Sequence, residues 1–321
     1  MNSGNKLILL IVFCIFALVA KAQTYDFIVA TDGTGNFTKV QDAIDAVPDF
    51  RKAETTIYIK NGVYKEKITL APTKTHVRMI GQSADSTILT FDDFADRPNR
   101  FGEKMGTTSS SSFFLMGDYF VAENISFANS AGPVGQAVAV RVDGDKVAFI
   151  GCKFLGFQDT LYPHGEQSKQ YYRNCTIEGT VDFIFGWSTA VFDSCTIVCK
   201  EKGYITAAST NEGTKHGFVF LDSKITGPAE NESFYLGRPW RPFSKVAFLR
   251  CELGKMIKPE GWHNWDKPEA ETSSFYAEYR CTGPGINPKK RVKWSHELTP
   301  EQAAKYTPHE ILGEWVDAYT K

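Results

Sequence analysis

Three charged residues in this sequence are of the types needed for acid-base or nucleophilic chemistry and stand in apolar frames. Asp182 lies in Gly179-Thr180-Val181-Asp182-Phe183-Ile184-Phe185-Gly186, Asp159 in Phe157-Gln158-Asp159-Thr160-Leu161-Tyr162, and Arg238 in Leu236-Gly237-Arg238-Pro239-Trp240. A carboxylate in a buried strand loses hydration that only cations or hydrogen-bond donors can replace, so acids in such places are functional or paired. Two carboxylates and an arginine suit acid-base or nucleophilic catalysis. They would equally suit a structural ion pair tying loops together. Amides stand close by: Gln158 adjoins Asp159, and Gln136 precedes it by 23 residues, the interval that also separates Asp159 from Asp182. Aromatic residues frame the group at Tyr162, Phe183, Phe185, Trp187, Trp240 and Trp262.

The elements that must position these residues repeat. Val147-Ala148-Phe149-Ile150-Gly151-Cys152-Lys153-Phe154 is echoed at Gln170 to Ile177, Ala190 to Ile197 and Val246 to Leu253, each an apolar strand, a polar corner, a cysteine and a further apolar residue. Phe218 to Ile225 fits with serine for cysteine, and Tyr119 to Phe127 fits more loosely. Irregular repeats of short strands and turns, starting 20 to 28 residues apart, are the mark of a solenoid whose coils stack. The expectation is an all-β, single-domain parallel β-helix. In it Gln136, Asp159 and Asp182 come to neighbouring strands of one face, and stacked cysteines and asparagines have a structural explanation. Cys152 and Cys175, one coil apart, are expected to form a disulfide. Four glycosylation sequons begin at Asn36, Asn124, Asn174 and Asn231, of which Asn124 and Asn174 fall in the coil register.

A short helix is expected after the first strand, Tyr25 to Ala30. Thr38 and Gln41 have capping-box spacing, Val40, Ile44 and Val47 share a face, and Pro48 ends the pattern. This helix should cover one end of the solenoid, with a helical segment at the carboxyl terminus.

The chain has 321 residues, 42% hydrophobic and 23% charged, a composition for one large soluble domain. Its formal charge is −1, becoming −3 without the first 22 residues, which hold two lysines and no acid. Such a balance advertises no nucleic-acid partner. Residues 1–22 read as a signal peptide: Lys6, an apolar run from Leu7 to Ala20, and Ala20-Lys21-Ala22 as the cleavage site. The apolar run is too short for a stable membrane anchor, so the expected domain is 23–321, secreted or periplasmic after cleavage near Ala22. The cysteines lack metal-clamp spacing and the histidines are scattered, so no metal is expected.

Taken together, the segments Phe37 to Ile44, Gln136-Ala137-Val138-Ala139, Gly156 to Tyr162, Gly179 to Gly186, Leu236 to Trp240, Gly261-Trp262 and Trp315 resemble the pectin methylesterases, carbohydrate esterases that demethylate homogalacturonan. The resemblance implies a right-handed parallel β-helix, no cofactor, and methyl-esterified homogalacturonan (pectin) as the partner of a monomeric enzyme. Carried over position by position, it implies Asp182 as nucleophile, Asp159 as acid/base, Gln136 and Gln158 as oxyanion donors and Arg238 as the orienting cation. Trp240 matches the substrate-cleft tryptophan. The other aromatics would form a sugar-stacking rim, against a plainer role as hydrophobic anchors under the loops. Readings that keep the solenoid but change the chemistry are an esterase for another ester or thioester, a lyase or polygalacturonase, and a non-catalytic polysaccharide binder. The last would not need both acids.

Overall fold

The computed structural model describes residues 24–320. The chain winds as a right-handed parallel β-helix in which each coil contributes one strand to each of three parallel sheets, of 11, 8 and 7 strands. One coil shows the course. Val147–Ile150 lies in the first sheet, Lys153–Leu155 in the second and Leu161–Pro163 in the third, and Lys169–Arg173 returns to the first.

The polar corner of the repeat is a left-handed residue. Asn124, Gly151, Asn174, Ser194, Asp222, Arg250 and Arg280 all have φ between 48° and 61° where the chain turns from the first sheet to the second. Glycine and asparagine adopt this conformation at least cost. The next residue points inward and, except for Ile125 after Asn124, is a small donor. The thiols of Cys152, Cys175, Cys195, Cys251 and Cys281 and the hydroxyl of Ser223 donate to the carbonyls of Ala122, Phe149, Tyr172, Phe220, Phe248 and Phe192 of the preceding coil.

That ladder overturns the expected disulfide. Cys152 and Cys175 are free thiols. Equivalent side chains leave the backbone in parallel, so each thiol donates to a carbonyl of the preceding coil and lies beside its stacked neighbour's thiol without a bond between the sulfurs.

Inside the first sheet, Phe149, Tyr172, Phe192, Phe220 and Phe248 occupy one register column. Their rings stack at 5.1, 4.7, 4.5 and 4.3 Å. The column ends on Glu278, which takes a bidentate ion pair from Arg291 and a hydrogen bond from the Trp262 indole.

The first helix, Val40–Asp45, buries Val40, Ala43 and Ile44 in the solenoid core, as its periodicity requires. Its capping differs from the expected box. Lys39 is the N-cap without a side-chain bond, and the Glu66 carboxylate accepts from the free N–H groups of Val40 and Gln41. Gln41 is thereby released to bond the Thr69 backbone from both ends of its amide. At the other terminus, helices Pro300–Ala303 and Pro308–Leu312 and the 3-10 turn Glu314–Tyr319 lay Ala303, Ile311, Leu312 and Val316 on the outer face of the first sheet. Among the described residues no helix is long and apolar enough to cross a membrane; the expected signal peptide lies outside them.

Candidate active site

The third sheet carries the site on its outer face. Strands Val140–Val142, Leu161–Pro163, Ile184–Gly186, Gly203–Ala208 and Phe234–Pro239 run side by side. Their register sets Arg141 beside Tyr162, and Phe185, Ala207 and Arg238 in a row. Two features aim Arg238. Gly237 turns inward where a Cβ would come within 2.0 Å of the Thr206 hydroxyl, and alternation along the strand then sends residue 238 outward.

Asp159 and Asp182 sit just before their strands, both left-handed, at φ 64° and 53°. Asp159 N–H donates to the Val181 carbonyl, and the Leu161–Ile184 register, continued back two residues, sets the two acids side by side. The Thr160 hydroxyl fixes the first turn through bonds to the Phe157 and Glu178 carbonyls. Gln136 pairs with Gln158, not with Asp159. The equal spacing of 23 is therefore one residue off the true register at that coil, which brings the amides together as one pair and the acids as another.

These residues face a cleft of about 550 Å³, lined by Gln136, Gln158, Asp159, Asp182, Arg238 and, among the aromatics, Tyr162, Phe185 and Trp240. Arg238 binds Asp182 through both nitrogens of its fork, Nε to Oδ1 at 2.9 Å and NH2 to Oδ2 at 2.7 Å. Both acids are buried, each 7% exposed. Burial raises the Asp182 pKa, and the Arg238 guanidinium offsets part of that rise. Asp159 has no such partner: among the described residues no side chain or backbone group donates to its carboxyl. Burial first, then the charge of Asp182, lifts its pKa well above the usual carboxylate range, with a smaller pull downward from the charge of Arg238. Asp182 is thus the acid that ionises first, and Asp159 the one that keeps its proton.

Phe185 stacks on Tyr162 at 4.0 Å, and Trp240 closes over both at 5.8 and 6.4 Å. Trp187 stands behind this group, 4.8 Å from Trp240, without lining the cleft. Phe183 and Trp262 do not belong to it. Phe183 is fully buried in the solenoid interior, edge-on to Phe234, and Trp262 packs there on Tyr276 at 4.6 Å. Neither stands in a strand: Phe183 follows the left-handed Asp182 and precedes Ile184–Gly186, and Trp262 forms a single bridge to Gly237.

Two residues of the site escape the sequence reading. Trp265 and Tyr204 place their rings 3.6 and 3.8 Å from the Arg238 guanidinium carbon. The cation that binds Asp182 is therefore also held between two aromatic faces. Tyr204 precedes Arg238 by one coil in the sheet, and the repeat would have predicted its neighbourhood. Trp265 comes from a loop outside the repeat. Met105, Gly106, Thr107 and Thr108 also line the cleft, from a segment between strands that holds the short helix Gly106–Ser109. Among the described residues no cluster of His, Cys, Asp or Glu could hold a metal ion.

A profile of the family described as Pectinesterase matches residues 26–314. The chain belongs to the pectinesterase family. It is therefore a carboxylic ester hydrolase. Among its relatives, Pectinesterase 31 of Arabidopsis thaliana is 42% identical over 290 residues, 88% of this chain and 91% of that protein. The chain spans 54% of a second Arabidopsis thaliana relative, a probable pectinesterase/pectinesterase inhibitor 40% identical over 291 residues, covering 86% of this chain. The solved carrot pectin methylesterase superposes with a TM-score of 0.83 at 33% identity, over 93% of this chain and 97% of that one. A pectin methylesterase crystallised with a hexasaccharide superposes with a TM-score of 0.80 at 29% identity, over 92% of this chain and 98% of that one.

Proposed function

We propose that this member of the pectinesterase family hydrolyses the C6 methyl esters of homogalacturonan, releasing methanol, with Asp182 as nucleophile and Asp159 as acid/base. The observation that carries the assignment of roles is the asymmetry between the acids. The bidentate Arg238 bond fixes Asp182 as an aimed carboxylate, whereas Asp159, equally buried but unpaired, retains a proton.

In this reading an Asp182 oxygen attacks the ester carbonyl, and the Gln136 and Gln158 amides donate to the oxygen that becomes negative. The tetrahedral intermediate collapses, the C–OCH3 bond breaks, and Asp159 gives its proton to the departing methoxide. A water that returns a proton to Asp159 then attacks the aspartyl anhydride. Its addition breaks the anhydride C–O bond, restores Asp182 as an anion and frees the galacturonic acid, whose proton goes to solvent. Trp240, Tyr162 and Phe185 offer apolar faces to the sugar rings, as aromatics in ligand clefts do. The hexasaccharide bound by a structural relative supports a polymeric sugar substrate. Export with cleavage near Ala22, and action as a monomer outside the cytoplasm, complete the proposal.

The test is methanol release from highly methylated homogalacturonan, with chain length followed in the same reaction. Methanol should appear at constant chain length, and Asp182→Asn should lower turnover by roughly 10⁴-fold or more, the scale seen when a nucleophile is removed. Chain shortening with an unsaturated product, or normal turnover in the variant, would sink the reading.

A further inference from the structure

The turn that follows the cleft residue Ala207 ends at Lys215 and His216, and on its far side lies a second cavity, of about 260 Å³. The chemistry proposed above uses none of its residues. Its lining includes three lysines, Lys215, Lys245 and Lys305, and no carboxylate. The Lys245 ammonium donates to the Thr214 carbonyl at 2.7 Å. Among the described residues the Lys215 and Lys305 side chains have neither a hydrogen-bond partner nor an ion-pair partner.

His216 also lines this cavity and is 8% exposed, set edge-on to Tyr306 at 5.1 Å. Its Nε2 is buried with no protein partner. A polar atom buried without a partner is costly and rare, so it calls for an explanation. Burial, and after it the charges of Lys215 and Lys245, push the imidazole pKa down to about 4. The ring is neutral at ordinary pH and can offer one N–H donor beside the cations.

Phe275, Leu298 and Tyr306 supply an apolar wall, and the Gln302 side chain adds an amide. Three unneutralised cations call for an anion. The apolar wall, and more room than a bare inorganic ion fills, call for that anion to be attached to a carbon body.

We propose that this pocket binds the carboxylate of a single uronic acid residue, giving the enzyme a second site, away from the cleft, that recognises its de-esterified product. The choice of uronate rests on the esterase reading; the demand for an organic anion does not. A methyl ester has no charge to offer the lysines, so the pocket would separate product from substrate. It is assembled where successive coils enter the first sheet, at Lys215–His216, Lys245 and Phe275, with the carboxyl-terminal segment laid across them.

The experiment titrates the full chain with galacturonate, its methyl ester and inorganic phosphate, while the His216 imidazole resonances are followed by NMR. Galacturonate should shift them saturably, the methyl ester should not, and phosphate should bind at least tenfold more weakly. The double variant Lys215→Gln/Lys305→Gln should weaken galacturonate binding at least tenfold and leave methanol release from short esterified oligomers unchanged. An unmoved His216, equal binding of the methyl ester, phosphate binding as tight as galacturonate, or undiminished binding in the double variant would each overturn the proposal. Methanol release by the wild-type chain is measured on the same samples. Failure of the esterase reading would then show as absent methanol, and failure of the pocket as an unmoved His216.

Discussion

Asp159 and Asp182 are equally buried, yet only one is held by a guanidinium, and that difference has a consequence for stability. In the folded chain the Asp159 carboxyl keeps its proton well above the ordinary aspartate value of 3.8. Between that value and its raised pKa the folded state therefore binds more protons than the unfolded state, and stability falls as pH rises through this window. Asp159→Asn removes the titration. Its melting temperature should fall less steeply above pH ~4 than that of the wild type, and should be the higher of the two at neutral pH. Asp182, also raised, leaves a residual slope of the same sign. A steeper decline in the variant would show that Asp159 is not a proton-retaining group. At the same scale, Trp265 covers one face of Arg238. A desolvated cation–π contact contributes about 1–2 kcal/mol, so Trp265→Ala should cut kcat/KM roughly tenfold while the cooperative melt survives. Wild-type kinetics in that variant would leave Tyr204 and Asp182 as sufficient to hold the guanidinium.

The repeating element is a strand, a left-handed corner and an inward donor, and its energetics differ from those of a covalent staple. Each thiol in the ladder satisfies a carbonyl of the coil below, a role that Ser223 fills with a hydroxyl. Cys195→Ser should therefore be tolerated, whereas Cys195→Ala leaves the Tyr172 carbonyl without the Cys195 bond and should cost about 1–2 kcal/mol in urea unfolding. Equal losses in the two variants would point to packing instead of hydrogen bonding. The corner pattern was legible because its chemistry is local: a polar residue or glycine stands before a cysteine or serine at Gly151, Asn174, Ser194, Asp222, Arg250 and Arg280. The helix cap was not. Thr38 and Gln41 have capping-box spacing, but Glu66, from a later strand end, reaches the same N–H groups with a charged acceptor, and a charged acceptor at a helix N-terminus outcompetes a neutral one.

Across the whole molecule, one solenoid interior and one outer face divide the aromatics that sequence placed in a single rim. Trp262 belongs to the interior, 1% exposed, so Trp262→Ala should lower unfolding free energy by about 3–5 kcal/mol. The KM of the remaining folded enzyme should stay near the wild-type value. A stable variant with a raised KM would return Trp262 to the cleft. The carboxyl-terminal segment has a similar structural part. Its apolar side chains cover Val191, Val219 and Ala247 on the outside of the first sheet, a face that a solenoid of this length would otherwise leave open to water.

Sequence by itself determined the solenoid, its coil length and the cluster of Asp159, Asp182, Arg238 and the two glutamines, because a repeat fixes which strands become neighbours and each of these residues lies within a repeat. It also determined that the acids would be buried, since their flanking residues are apolar. Tertiary structure decided the rest. The coil register set glutamine against glutamine and aspartate beside aspartate, a one-residue matter that spacing alone does not resolve. Alternation would have put Phe183 on the face of Phe185, but Phe183 stands before the strand Ile184–Gly186, after the left-handed Asp182, and turns into the interior. Further cleft lining came from Trp265, on a loop, and from Met105 to Thr108, at the short helix Gly106–Ser109, segments whose return to the third sheet depends on long-range contacts and leaves no period in the sequence.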